Sequence, residues 1–200
     1  MHIESGINNV FYKRWQPFKK KVQKGLSLIE AAMVLALSAI VVAGVIAYYQ
    51  SASDNQRTES TISMLTDLIS VIHNTYSSQA NYAGLTSKLI ADTQSLPTSM
   101  TNDQGQIFTP GGSLVTIGPG KFSGKTLVNY FNIQFGVSNN MCPIMARLDL
   151  GSSLASMRFG SETATPYNKP LNVSDSETVC KSASRGSQTP DQVTLYYEFH

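Results

Sequence analysis

The chain is poor in the residues that most chemistry needs. Of its 200 residues only 14% are charged, and it has three histidines, two cysteines and one tryptophan. His2, His73 and His200 are spread over the whole length and offer no metal-ligand spacing. No histidine pairs visibly with a serine or cysteine as a nucleophile set. Scattered acids such as Asp54, Asp67, Asp92 and Asp149 read as solvated surface or helix-end charges. Neither an enzyme, a metal site nor a cofactor is expected. The nearest approach to a phosphate loop is Gly118-Pro119-Gly120-Lys121-Phe122-Ser123-Gly124-Lys125-Thr126. That motif needs four residues between its first glycine and Gly-Lys-Thr; from Gly118 there are five, and the position giving four is Pro119. A helix should follow to hold phosphates, whereas the next residues are β-patterned, so a glycine-rich surface turn is expected. The sequon Asn172-Val173-Ser174 is of a kind common by chance.

Proline is absent from Leu26 to Ser77, and Gly44 is the only glycine there. Nothing in that stretch breaks a helix, and ~50 residues would extend ~75 Å. Its first half follows a basic cluster and a small-residue junction: KKKVQKG, residues 19–25, precedes LSLIEAAMVLALSAIVVAGVIAYYQ, residues 26–50. Between Leu26 and Tyr49 the polar side chains are Ser27, Glu30, Ser38 and the two tyrosines. About 20 apolar residues span a bilayer as a helix, so this segment can do so. An acid near the start of the span costs roughly 2.5–3.5 kcal/mol on insertion scales and calls for a partner. Cleavage after Gly25 would create an α-amino group on Leu26, one helical turn before Glu30 on the same face. An ammonium is a natural counter-ion for a carboxylate in low dielectric. The pair can form within one chain or between chains; in the second case the helices pack with an axial offset, as in a filament.

These residues carry a family resemblance. Gly25-Leu26-Ser27-Leu28-Ile29-Glu30, after a basic leader and before an apolar helix, resembles the class III signal of type IV pilins. The long leader and Leu26 as first mature residue are similar to the type IVb branch. Similarity to bundle-forming pilins continues through Tyr48-Tyr49-Gln50-Ser51-Ala52-Ser53-Asp54. The resemblance implies that a prepilin peptidase cuts between Gly25 and Leu26, that Leu26 is then methylated, and that Glu30 neutralises a neighbouring subunit's N-terminus during assembly. It divides the chain into a leader (1–25), a transmembrane and filament-core half-helix (26–50) and a globular head (51–200). The other implied partners are further copies of the chain, the inner-membrane assembly machinery and a surface receptor of unknown identity.

Charge and cysteines agree with export. Six of the fifteen basic residues and one of the thirteen acids precede residue 26, which leaves nine against twelve, a net charge of −3. Basic charge beside the span keeps that side cytoplasmic, so the bulk faces outward from the inner membrane before joining an extracellular pilus. A net-negative body gives no reason to expect nucleic acid as a partner. Cys142 and Cys180 both lie in the exported part, and an even count in an oxidising compartment reads as a disulfide. The resemblance implies the same bridge. A cleaved secretory signal is excluded because the apolar run is too long and no A-x-A-like site follows it. A lipoprotein would need a cysteine near the end of the span.

The remaining pattern is α+β. Ile62, Leu65, Ile69, Ile72 and Tyr76, widened by Met64 and Leu68, recur at helical spacing and predict a face packed on a domain. The polar run Ser51–Thr61 between the halves is expected as solvated helix, with local melting on subunit packing as the sharper alternative. A short helix is expected over Leu85–Thr93, stopped by Pro97, and another over Cys142–Gly151. Ser113–Ile117, Phe131–Val137 and Val193–Phe199 predict strands, the last two by period-two alternation. Residues 160–191 read as loops. The expected architecture is a long N-terminal helix packed on an antiparallel sheet with short helices, and the expected role is the major subunit of a type IVb pilus serving adhesion, aggregation or conjugative transfer. Alternatives are a minor pilin, a pseudopilin, or a signal-anchored enzyme or binding protein.

Overall fold

The structure, a computed structural model, describes residues 27–122, 125–186 and 191–200. It divides the chain into two units, Met1–Ile46 and Ala47–His200. Helix α1 (Leu28–Tyr76) begins in the first and ends in the second. In the first unit its surface is apolar all round, with Leu28, Ile29, Met33, Leu37, Ile40 and Val41 exposed. The one hydroxyl within the run, Ser38, donates to the Val34 carbonyl at 2.7 Å, so it presents little polarity. An eighteen-residue window of α1 reaches a mean hydropathy of 2.5, long and apolar enough to cross a membrane. Residues 51–61 are helical throughout, and most are exposed as expected of a solvated helix, but Thr58 and Thr61 are buried.

In the second unit one antiparallel sheet has the order β1-β2-β3-β5-β4. The strands are β1 (Ile107–Phe108), β2 (Leu114–Phe122), β3 (Lys125–Ser138), β4 (Leu154–Phe159) and β5 (Gln192–Phe199). Alternation sets the register of the central pair: Phe131, Ile133, Phe135 and Val137 face Phe199, Tyr197, Leu195 and Val193 in turn. One row, Ile117–Ile133–Tyr197–Met157, crosses four strands as direct pairs. Because strand side chains alternate, all of these fall on one face. α1 covers that face with Met64, Leu65, Leu68 and Ile72, each fully buried. The predicted stripe is thereby rotated: Thr61 is 1% exposed, while Ile62, Ile69 and Tyr76 only flank the core. Thr61 fits because its hydroxyl donates to the Arg57 carbonyl at 2.7 Å.

Helix α2 (Ser87–Asp92) is shorter than expected and starts where Thr86 accepts from the Leu89 amide. Its Ser87 hydroxyl accepts from the Ile117 amide at 2.8 Å and donates to the Val115 carbonyl at 3.3 Å. A side chain thus serves the edge of β2 beyond two-residue β1. Helix α3 (Cys142–Ala146) is also shorter than predicted. Two elements depart more strongly. β4 carries no visible alternation because five of its six residues are buried. Helix α4 (Val173–Arg185) occupies a stretch expected as loop. Its buried positions are Ser176 and Cys180, with Val179 and Ala183 partly covered, so its inner face is too polar and small to register as hydrophobic periodicity. The end signals were present: Asn172 accepts from the Asp175 amide at 2.8 Å, and Gly186 follows Arg185.

The expected glycine-rich turn is another correction, since Gly118 to Lys121 are strand residues of β2, with a register shift between Pro119 and Gly120. A bulge accommodates a proline that a regular ladder would not. Gly120 is demanded by space. A Cβ there would lie 2.6 Å from Tyr130 Cβ and 2.8 Å from Glu198 Oε1. Gly120→Ala is therefore expected to lower stability by about 1–3 kcal/mol through overpacking, read as a shifted urea midpoint with an unchanged slope.

Burial raises the Tyr197 phenol well above its usual pKa near 10, and its hydroxyl donates to the Met145 carbonyl at 3.1 Å. A raised folded pKa means that stability is intact below the unfolded value and is lost above it, by about 1.4 kcal/mol per pH unit for one proton. Urea titrations at rising pH should show this loss starting near pH ~10. Tyr197→Phe should flatten the slope by about one proton, at a cost of about 0.5–1.5 kcal/mol at neutral pH for one lost hydrogen bond, since the Met145 carbonyl keeps the Leu148 amide at 3.2 Å.

Candidate assembly site

Of the sequence-predicted site, Gly25 and Leu26 lie outside the described residues. The first described residue, Ser27, caps α1. Its hydroxyl accepts from the Ile29 amide at 3.2 Å, and its own amide donates to Glu30 Oε2 at 2.9 Å. The Ser27 carbonyl accepts the first helical bond, from Ala31, at 3.0 Å. This reciprocal arrangement is a capping box, written in sequence as Ser27-x-x-Glu30. The pattern is legible in the sequence, but the cost of an acid beside an apolar span points first to an ammonium partner and not to a cap. The carboxylate sits at the positive end of the helix dipole, where a negative charge is favoured. With residues 1–25 attached, Leu26 has no free ammonium, and a backbone amide serves as partner instead. Both residues are exposed, so an ammonium of another chain can reach the carboxylate.

At the other end of the chain Cys142 and Cys180 form a disulfide across 38 residues, with 5.9 Å between their Cα atoms. It joins α3 to α4, and both cysteines are buried in the core. Beside Gly120 lies a feature that the sequence analysis overlooked. Arg158 and Glu198 pair at 3.1 Å with side chains 5% and 6% exposed, and Ser156 donates to the same carboxylate oxygen at 3.1 Å. Ser156 and Glu198 are direct partners across β4 and β5. Arg158 also reaches the Lys121 carbonyl at 3.5 Å. The pair therefore links β2, β4 and β5 on the sheet face away from α1. The available signal was a lone acid between Tyr197 and Phe199 on a strand with buried alternation. Among the described residues no cluster of histidine, cysteine, aspartate and glutamate could hold a metal ion.

Comparisons with known proteins identify the family. The bundlin family profile matches residues 50–200. Two relatives, each described as the major structural subunit of bundle-forming pilus, come from Escherichia coli O127:H6 (strain E2348/69 / EPEC) and Escherichia coli O111:H-. Each is 38% identical over 135 residues, which span 67% of this chain and 69% of the relative. The chain belongs to the bundlin family. Two solved structures are also similar. TcpA, a type IV pilin from Vibrio cholerae El Tor biotype, gives a TM-score of 0.49 at 12% identity, covering 72% of this chain and 99% of that one. A type IV b pilin from Salmonella typhi gives 0.47 at 12% identity, covering 66% and 91%.

Opening the disulfide should cost about 4 kcal/mol in the chain-entropy model for a loop of this size. Cys142→Ser with Cys180→Ser should accordingly give an earlier urea midpoint and faster proteolysis within 139–191; equal protection of oxidised and substituted chains would contradict this.

Proposed function

We propose that the chain is the precursor of the major subunit of a type IV pilus and polymerises into an extracellular filament. The observation that carries this reading is the pairing, in a bundlin-family chain, of an acid at the helix start with an apolar surface that is exposed among the described residues. Burying a single Val, Leu or Ile side chain is worth about 1.5–3 kcal/mol, so residues 28–46 favour a bilayer or their own kind over water. A bilayer serves first, with the chain crossing the inner membrane once and its body outward. A bundle of identical helices serves after assembly, driven by inner-membrane machinery.

In this reading residues 1–25 are a leader, residues 26–50 form the filament core and residues 51–200 the outer head. A prepilin peptidase cuts between Gly25 and Leu26 and Leu26 is methylated. The new ammonium, buried beside a bilayer or a bundle, needs a counter-charge, and Glu30 of a neighbouring subunit supplies it. The capping box adds a consequence: Glu30 can leave the Ser27 amide for a full charge, exchanging a neutral donor for a stronger one. The role is structural rather than catalytic, and the filament serves adhesion, aggregation or conjugative transfer.

The test is N-terminal sequencing and intact mass of filaments sheared from cells, without reduction. The expected product starts at methylated Leu26 and is two hydrogens lighter for the disulfide. Glu30→Ala should still be cleaved and stay in the membrane but yield no filaments. Filaments that start at Met1, or normal filaments from Glu30→Ala, would overturn the reading.

A further inference from the structure

Between Ala47 and Tyr76 helix α1 covers the sheet with one stripe and leaves the opposite face open. That face carries Glu59, Ser63, Thr66, Asp67, Ser70 and Asn74, all exposed. It holds two carboxylates and no cation. Arg57, the only Lys or Arg in α1, turns aside with Asp54 to line a crevice against Gly136 and Ser138. A surface of the other sign lies between α3 and α4. A cleft of about 570 Å³ has Cys180 at its floor and Arg147, Lys181 and Arg185 around it, with Glu177 its one acid. Lys181 meets Glu177 at 3.1 Å on the exposed flank of α4. Arg147 gives Nε to the Pro143 carbonyl at 3.0 Å, which uses one of its five donors. Half-exposed Ile144 adds an apolar contact.

We infer that these two surfaces are the halves of one contact between copies of this chain, the acidic face of α1 seating in the α3–α4 cleft of the next subunit. The inference rests on the pilus reading and names the surfaces that set subunit register. Two different patches on one chain make a heterologous contact, which propagates as an open helix unless its rotation closes a ring. A self-complementary patch would instead close a dimer. Exposed charges at such a rim contribute little individually, but wrong juxtapositions of like charge cost several kcal/mol, so they select register and partner. A free polyanion would also fit the cleft, but it gives the carboxylates of α1 no role.

The test uses the full chain in cells. Glu59→Lys with Asp67→Lys reverses the helix face; Arg147→Glu with Arg185→Glu reverses the cleft. Each pair alone should lower sheared filament by about tenfold or more, with the Cys142–Cys180 bridge still formed. The four substitutions together, or co-production of the two reversed chains, should restore filaments, because opposite charges again meet. Normal filaments from either reversed pair would overturn the inference, and so would failure of both restorations in oxidised, membrane-inserted chains. If a reversed chain does not accumulate, zero-length carbodiimide cross-linking of wild-type filaments grown from mixed nitrogen isotopes decides. Isotope-mixed Glu59–Lys181 or Asp67–Lys181 peptides support the contact; Lys181 joined only to Glu177 of its own chain refutes it. Glu30→Ala run in parallel separates the two readings. Lost filaments there beside intact filaments in both reversed chains would sink the docking surfaces alone.

Discussion

The unit Ala47–His200 depends on covering one face of a sheet whose other face is left half-open. Phe131, Ile133, Phe135 and Val137 on β3 meet Phe199, Tyr197, Leu195 and Val193 on β5, and a continuous apolar surface of that kind has to be taken out of water. Met64, Leu65, Leu68 and Ile72 of α1 do this. Register and helix placement are thereby coupled. A slip of one residue in β3 or β5 would turn every one of these side chains away from the helix. The aromatic contacts follow from the same register, with Phe131 and Phe199 rings 5.1 Å apart and Phe135 and Tyr197 rings 6.0 Å apart.

Around this core the chain uses cross-links at the places where hydrophobic burial is thin. α4 has little apolar surface, and a disulfide adds to its packing against α3. On the face away from α1, the Arg158–Glu198 pair and Ser156 connect strands that the core does not reach from that side. Burying both charges is costly unless hydrogen bonds satisfy them, and the neighbouring backbone is shaped to the pair, with Gly120 leaving room for the carboxylate. Ser87 does comparable work at the far edge, where it takes over hydrogen bonds that a longer β1 would have made. The apolar surface is gathered at the start of α1, whereas residues 47–200 expose charge.

Local pattern determined much of this protein. The unbroken run from Leu26 to Ser77 specified a long helix because neither proline nor a glycine cluster interrupts it. The alternation at Phe131–Val137 and Val193–Phe199 specified half-buried strands. Glu30, set after Gly25-Leu26 and before an apolar span, stood out by the cost of an acid in that position, and the Ser27 capping box was also legible there. Tertiary structure alone decided the rest. β4 does not alternate because five of its six residues are buried, and α4 hides a polar, small-residue inner face that a disulfide ties to α3. Gly118-Pro119-Gly120 is strand because it pairs with Asn132, Phe131 and Leu127 of β3, and the close approach of Tyr130 and Glu198 requires the glycine at 120. Arg158 and Glu198 are 40 residues apart, and their pairing exists only once β4 and β5 lie side by side. Periodicity reports how a segment meets water, whereas contacts between distant segments are set by which surfaces remain to be covered.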